Sequence, residues 1–290
     1  MPSFVDGVWL ERAVQSILRT VKRGGAAPSA GGASAPAPPQ RYELNPFNID
    51  GALRYAAIIE LLAGRFNAGV EILEVGSGAG GITEFLRFPV TGLDSAFDRT
   101  ELNATPYLRR VQGLAQAMPF DDASFDVVVC AEVLEHIPQV HREAALGEML
   151  RVLRPGGRMI VTFPADATAR ECDLRLNEAY RDRYGSDHPW VIEHIQEGVP
   201  STEETRALLD RLAGPEATVA VHRHMNREAW LFQQLVYSAR RWFGLTLPLG
   251  LQSRLGVRAV FSVLRRRNGE PAYRTMLVAD LPATSAASLR

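Results

Sequence analysis

The chain has 290 residues, with 32 basic and 33 acidic side chains and a formal charge of −1. At 46% hydrophobic and 22% charged, with no run of about 18 apolar residues, it is neither an integral membrane protein nor a wholly disordered one. Near-neutral charge excludes a protein that coats nucleic acid with its whole surface, and the length admits two domains or one elaborated α/β domain.

Val5, Trp9, Ala13, Ile17 and Val21 recur at helical spacing, predicting an amphipathic helix within residues 1–23. Glu11 and Arg12 interrupt the apolar run that a signal peptide needs, so no export signal is expected. Residues 24–40, GGAAPSAGGASAPAPPQ, lack any large apolar side chain and read as a flexible Gly/Ala/Pro linker. A globular domain is expected over 41–290, opening with a helix in NIDGALRYAAIIELLAG that Asn48 caps and Gly64 ends.

Beyond it, VEILEV, PVTGLD, FDVVVCA and RMIVTF are short apolar runs that read as buried strands. Helices are predicted for ITEFLR, EHIPQVHREAALGEMLRVL and STEETRALLDRLA. The alternation implies a parallel sheet with helices on both faces. TVAVHRH and YRTMLVADL follow as two later strands. Between them, residues 226–268 read as an Arg-rich helical insertion broken at Gly244 and Pro248, with nine arginines and one glutamate between His222 and Asn268. Its Trp230, Leu231, Phe232, Trp242 and Phe243 suit an anionic membrane surface, a greasy substrate, or plain packing on the sheet. Nucleic acid is not expected, because no recognised RNA module accompanies the charge. Two cysteines, Cys130 and Cys172, give neither a disulfide framework nor zinc-ligand spacing. That fits a cytoplasmic, or membrane-peripheral, location.

The densest signal is ILEVGSGAGG, residues 72–81, where a strand runs into glycines and a helix predicted near Ile82. Gly76, Gly78 and Gly80 let the backbone turn tightly and a ligand approach main-chain atoms. Gly76, Gly78 and Gly81 also fit the dinucleotide G-x-G-x-x-G spacing, and Asp94 ends the next strand, where it can hold ribose hydroxyls. This piece alone does not separate NAD from S-adenosylmethionine.

The order LEVGSGAGG, GLD, GLAQAMPFDDASFDVVVCAEVLEHI and MLRVLRPGGRMIVTFP, within residues 71–164, resembles the class I S-adenosylmethionine-dependent methyltransferases. The branch it is most similar to includes the ubiquinone and menaquinone biosynthesis enzymes. The resemblance implies a doubly wound, mostly parallel seven-stranded sheet of Rossmann-like type with helical cap insertions, one of the last two strands being antiparallel. It implies S-adenosyl-L-methionine as cofactor, with Glu74 orienting the methionine side through a loop formed by Gly76, Ser77, Gly78 and Gly80. Asp94 would hold the ribose, Ala115 and Gln116 would lie beside adenine, and Cys130 and Ala131 would face the methionine portion. Leu114 departs from the family, which usually places an aspartate there for the adenine amino group. Adenine recognition then leans on backbone groups or Gln116.

A sulfonium is an activated methyl donor, so the chain must mainly hold a nucleophile in line, and a base is needed only for a poorly ionised hydroxyl. The acceptor is expected to be a small molecule or lipid-linked group, methylated at oxygen. In AEVLEHI, Glu132 and Glu135 would share a face of a helical turn with His136 at its edge. His136 or Glu132 is thus a catalytic candidate, and Glu132, Glu135 and His136 are candidates to hold Mg²⁺ or Mn²⁺. The alternative is a purely structural role. Residues 165–200 read as a second insertion covering substrate, where His188 and His194 are candidates to touch it. The rival readings are a cofactor-fold protein without catalysis and an NAD-dependent oxidoreductase.

Overall fold

In the computed structural model, which describes residues 49–78, 80–97, 105–237, 250 and 253–283, the apolar runs assemble into one seven-stranded sheet. The strands are β1 (Ile72–Val75), β2 (Val90–Asp94), β3 (Leu108–Gln112), β4 (Phe125–Ala131), β5 (Leu153–Pro164), β6 (Thr218–Asn226) and β7 (Ala272–Asp280). Their order is β3-β2-β1-β4-β5-β7-β6. Strands β1 to β5 pair in parallel, and β7 runs antiparallel to both β5 and β6. This is the doubly wound, mostly parallel architecture implied by the motif order. The chain reverses its winding direction between β1 and β4, so a crevice opens beyond their carboxyl ends.

Successive side chains on a strand point to opposite faces, and both faces here are apolar. Ile72, Val127, Val129 and Ile160 meet α1 (Ile49–Leu61), α3 (Asp166–Tyr184), α6 (Arg227–Phe232) and α7 (Arg254–Leu264) in one core. Leu73, Val75, Val128 and Val161 meet α2 (Gln139–Arg151) and α5 (Thr202–Ala213) in the other. A short α4 (Val191–Glu197) packs beside α3. Ser201 starts α5 by accepting the Glu204 N–H at 3.3 Å, and Asn226 starts α6 by accepting that of Ala229 at 3.0 Å.

One expectation needs correction. The helix predicted for ITEFLR is one 3-10 turn, Gly81–Glu84. Pro89 biases Phe88 toward extended backbone, which opposes helix at the end of this segment. Phe85 instead stacks on Tyr55 of α1, with ring centroids 5.4 Å apart. The LRPGGR segment forms the start of β5. Its Gly156 takes φ +76° where the register against β4 shifts. Of the alternatives open for the 226–268 segment, Trp230, Leu231 and Phe232 take packing on the sheet, Trp230 stacking on Tyr273 at 4.0 Å.

The apolar face of α7 is likewise buried, through Val257, Val260, Phe261 and Leu264. The amphipathic segment within residues 1–23, the linker 24–40, Asn48, and the expected breaks at Gly244 and Pro248 lie outside the described residues. Among the described residues, no helix is long and apolar enough to cross a membrane.

Candidate active site

The loop after β1 is held open by glycines in the left-handed region: φ is +72° at Gly76, +52° at Gly78 and +52° at Gly81. A Cβ on Gly76 would overlap Val133, and one on Gly81 would overlap the Glu74 carboxylate. Both positions therefore need glycine for space as well as for φ. Gly80 has φ −138°, so the glycines that satisfy the dinucleotide spacing are the conformationally demanding ones.

Glu74 lies under this loop, fully buried, and its Oε2 accepts the Ile82 N–H at 2.8 Å. Burial pushes its pKa up to about 7, against the lowering pull of that N–H and of the neighbouring Tyr55 hydroxyl. At the end of β2, Asp94 accepts the Gly78 N–H through Oδ2 at 2.9 Å and the Ala96 N–H through Oδ1 at 3.1 Å. Each oxygen retains a lone pair for a further donor.

Beyond these strand ends lies a cleft of about 230 Å³. Gly76, Asp94 and Ser95 form one side, Leu114, Ala115 and Gln116 a second, and His136, Ile137 and Pro138 a third. The structure thus gathers five of the expected site residues, Gly76, Asp94, Ala115, Gln116 and His136, on one concave surface. Ser77 and Gly78 adjoin it through the loop. Leu114, the departure from the family pattern, is 50% exposed and presents apolar surface to the cleft.

Glu74, Gly80, Cys130 and Ala131 do not line this cleft. Cys130 and Ala131, expected to face the methionine portion, are buried in opposite cores because alternate residues of β4 point to opposite faces.

Glu132 departs further from expectation. It adopts φ 57°, outside any helix, and only Leu134–His136 form a 3-10 turn. Its Oε2 accepts the Arg274 Nε–H at 2.9 Å, while Arg274 also donates to Asp50 at 3.0 Å and Arg54 donates to Asp50 at 3.1 Å. Burial opposes the charge on Glu132, but Arg274 and then Arg54 outweigh it and hold the carboxyl below the usual glutamate range. Glu132 is thereby tied, just past the end of β4, into an ion network with α1 and β7, and it does not line the cleft. The expected shared face of Glu132 and Glu135 is absent.

Glu135 is buried, and neither of its oxygens has a hydrogen-bond partner among the described residues. Burial, then the Glu132 charge, pushes its pKa well above the usual carboxylate range. His136 reaches the cleft while its Nδ1 lies 2.8 Å from Glu193 Oε2. Burial and the adjacent His194 hold its pKa below the usual imidazole value, so the ring is neutral near pH 7. His194 belongs to the same cluster, with ring centroids 4.9 Å from His136. Glu193 had no local signal in the sequence, and nothing there joined His194 to the AEVLEHI motif. His188 is instead packed inside the insertion, its Nδ1 accepting the Trp190 and Val191 N–H groups at 3.3 and 3.4 Å.

Residues 73–161 match the family model described as a methyltransferase domain. The chain is 35% identical over 185 residues to phthiotriol/phenolphthiotriol dimycocerosates methyltransferase 1 of Mycobacterium ulcerans, covering 60% of this chain and 62% of that protein. It is 40% identical over 76 residues to the ubiquinone/menaquinone biosynthesis C-methyltransferase UbiE of Idiomarina loihiensis, covering 25% of this chain and 27% of that protein. The chain therefore spans less than two thirds of the length of the curated relatives it matches. A solved structure titled as a SAM-dependent methyltransferase of Thermotoga maritima aligns with a TM-score of 0.48 at 18% identity, covering 81% of this chain and 92% of that one.

Proposed function

We propose that this chain, which carries a class I S-adenosylmethionine-dependent methyltransferase domain of the branch that includes the UbiE-type enzymes, methylates an oxygen of a small-molecule or lipid-linked acceptor. The observation that carries this reading is the convergence of the Gly76 loop, Asp94, residues 114–116 and His136 on one cleft at the carboxyl ends of the strands.

The residues fit the cofactor. Gly78 leaves a side-chain-free approach to the backbone, Gly76 lines the cleft, and Asp94 keeps acceptor capacity for the ribose hydroxyls. Leu114 offers an apolar surface for the adenine ring, and Gln116 a side-chain amide for its edge. Bound S-adenosylmethionine supplies an activated methyl group on a sulfonium.

His136 is the cleft side chain suited to act on the acceptor, because a neutral imidazole offers a lone pair toward an oxygen. Glu193 fixes that ring from its Nδ1 side. The insertion over residues 165–200 supplies Glu193 and His194 next to His136, which supports its role as an acceptor-side cover. The relatives' names, which refer to phthiotriol dimycocerosates and to quinone biosynthesis, favour a small or lipid-linked acceptor over a polymer.

Calorimetric titration with S-adenosylhomocysteine tests the cofactor assignment, and transfer of labelled methyl to cell extract tests catalysis. A well-folded chain that gives neither heat nor a thermal upshift with that compound overturns the proposal.

A further inference from the structure

We propose that Arg142, on the first turn of α2, is a positioning residue that latches the insertion over residues 165–200 to the turn carrying His136. The proposal rests on the methyl-transfer reading and names the side chain that holds the acceptor side of that cleft in register.

The Arg142 guanidinium spends its donors on main-chain carbonyls. Its Nε donates to the Ile137 carbonyl at 2.9 Å, and its Nη2 donates to the carbonyls of Glu135 at 3.3 Å and Gly198 at 2.9 Å. Glu135 and Ile137 flank His136, so the backbone is fixed on both sides of the residue that reaches the cleft. Gly198, with φ +76°, ends α4, the helix that carries Glu193 and His194. One planar fork therefore joins the cleft turn to the cover.

The cover has a second tie to this turn, from Glu193 to His136 Nδ1 at 2.8 Å, but those side chains are 54% and 36% exposed. A pair so open to solvent contributes little by itself. It forms because the backbones on either side are already held, and Arg142 bonds to both. The ends of the insertion are fastened separately. Asp166 donates its N–H to the Pro200 carbonyl at 3.2 Å and accepts the Thr202 N–H and hydroxyl at 2.9 and 2.6 Å. The base is thus closed without Arg142, which leaves to Arg142 the register of α4 against the cleft.

A carboxylate at Nδ1 keeps the ring proton there and makes Nε2 the lone-pair nitrogen. Without the fork, α4 and the 134–136 turn separate, and His136 loses both its tautomer and its aim. Group transfer is sensitive to such shifts, a displacement of about 1 Å costing about 100-fold in rate. Lysine does not substitute, because its ammonium is a point charge without the planar array of N–H groups.

The test uses the full chain as parent, Arg142→Met and Arg142→Lys, with folding verified by circular dichroism. Nitrogen–proton correlation spectra of the histidine rings, taken at about pH 7.5, above the ordinary imidazole pKa of about 6.5, report which nitrogen carries the proton. His136→Gln identifies the signal. The parent should show His136 protonated at Nδ1, and both variants should shift toward protonation at Nε2. Transfer of labelled methyl from S-adenosylmethionine to cell extract should fall by about tenfold or more, while calorimetric affinity for S-adenosylhomocysteine stays at the parent value. Arg211→Met, which removes an exposed bridge to Glu143, should leave tautomer and transfer unchanged. A parent His136 protonated at Nε2, or an unaltered tautomer or unaltered transfer in a folded variant, overturns the latch, even where the melting temperature falls. Arg142→Lys keeps the test decisive if Arg142→Met does not fold. A parent chain that binds no S-adenosylhomocysteine overturns the methyl-transfer reading instead, and the tautomer comparison still decides the latch.

Discussion

Asp94 accepts the Gly78 N–H at 2.9 Å, which fastens the end of β2 to the glycine loop that leaves β1. One carboxylate therefore shapes the loop and faces the cleft. Asp94→Ala removes both roles and should weaken S-adenosylhomocysteine binding by at least about tenfold, roughly 1.4 kcal/mol, in calorimetry. Asp94→Asn, which keeps one acceptor, should fall between. Unchanged affinity in Asp94→Ala would show that the ribose is held elsewhere.

Leu114 lies in the same cleft with half its surface exposed. Replacing it with aspartate should change folding stability by no more than about 0.5 kcal/mol, as expected for a surface position. Cofactor affinity should be equal or stronger, since an acidic group there can accept from the adenine amino group. A marked calorimetric loss would contradict the placement of adenine beside residues 114–116.

Glu74 makes stability depend on pH. Its folded pKa, raised by burial to about 7, exceeds the ordinary value of 4.5. Its contribution is therefore present in full below the ordinary value and is lost as pH rises through about 7. Glu74→Gln, which still accepts the Ile82 N–H, should gain melting temperature relative to the parent between about pH 5 and pH 8. A difference that does not vary across that range would mean that Glu74 is charged throughout.

Glu132 should behave as a structural residue. Its partner Arg274 is 2% exposed, so Glu132→Ala leaves a buried guanidinium short of one counter-charge and should cost about 3–5 kcal/mol in urea unfolding. With its carboxyl held below the usual range, its contribution is present above the ordinary glutamate value and is lost as pH falls through the lowered folded one. Cofactor affinity, measured where the variant is folded, should change little. A full-strength fold without Glu132 would return it to the list of acceptor-side catalysts.

The sheet was legible where each run was apolar on both faces, as in FDVVVCA and RMIVTF. It was not legible at β3, whose LRRVQ carries two arginines on an edge strand and lacks the apolar continuity of the interior. The glycine loop and Asp94 were readable because φ and close approach restrict residue type locally. The AEVLEHI segment misleads because its helical spacing falls on residues of which only Leu134–His136 form a 3-10 turn, with Glu132 drawn aside by an arginine far along the chain. Clusters such as Glu135 with His194 arise from tertiary packing of the insertion, and no period or motif announces them.

The replacement of a helix by a single turn between β1 and β2 sets how small a working fragment can be. The surface left open there is roofed by α1, through Ile49, Leu53, Ile58 and Ile59, and Asp50 of that helix clasps Arg274 of the last strand. An expression clone trimmed to the matched stretch 73–161 would lose this roof, both final strands and the clasp between them. Such a fragment should emerge insoluble, whereas one running from before Ile49 through Asp280 retains every piece of the closure.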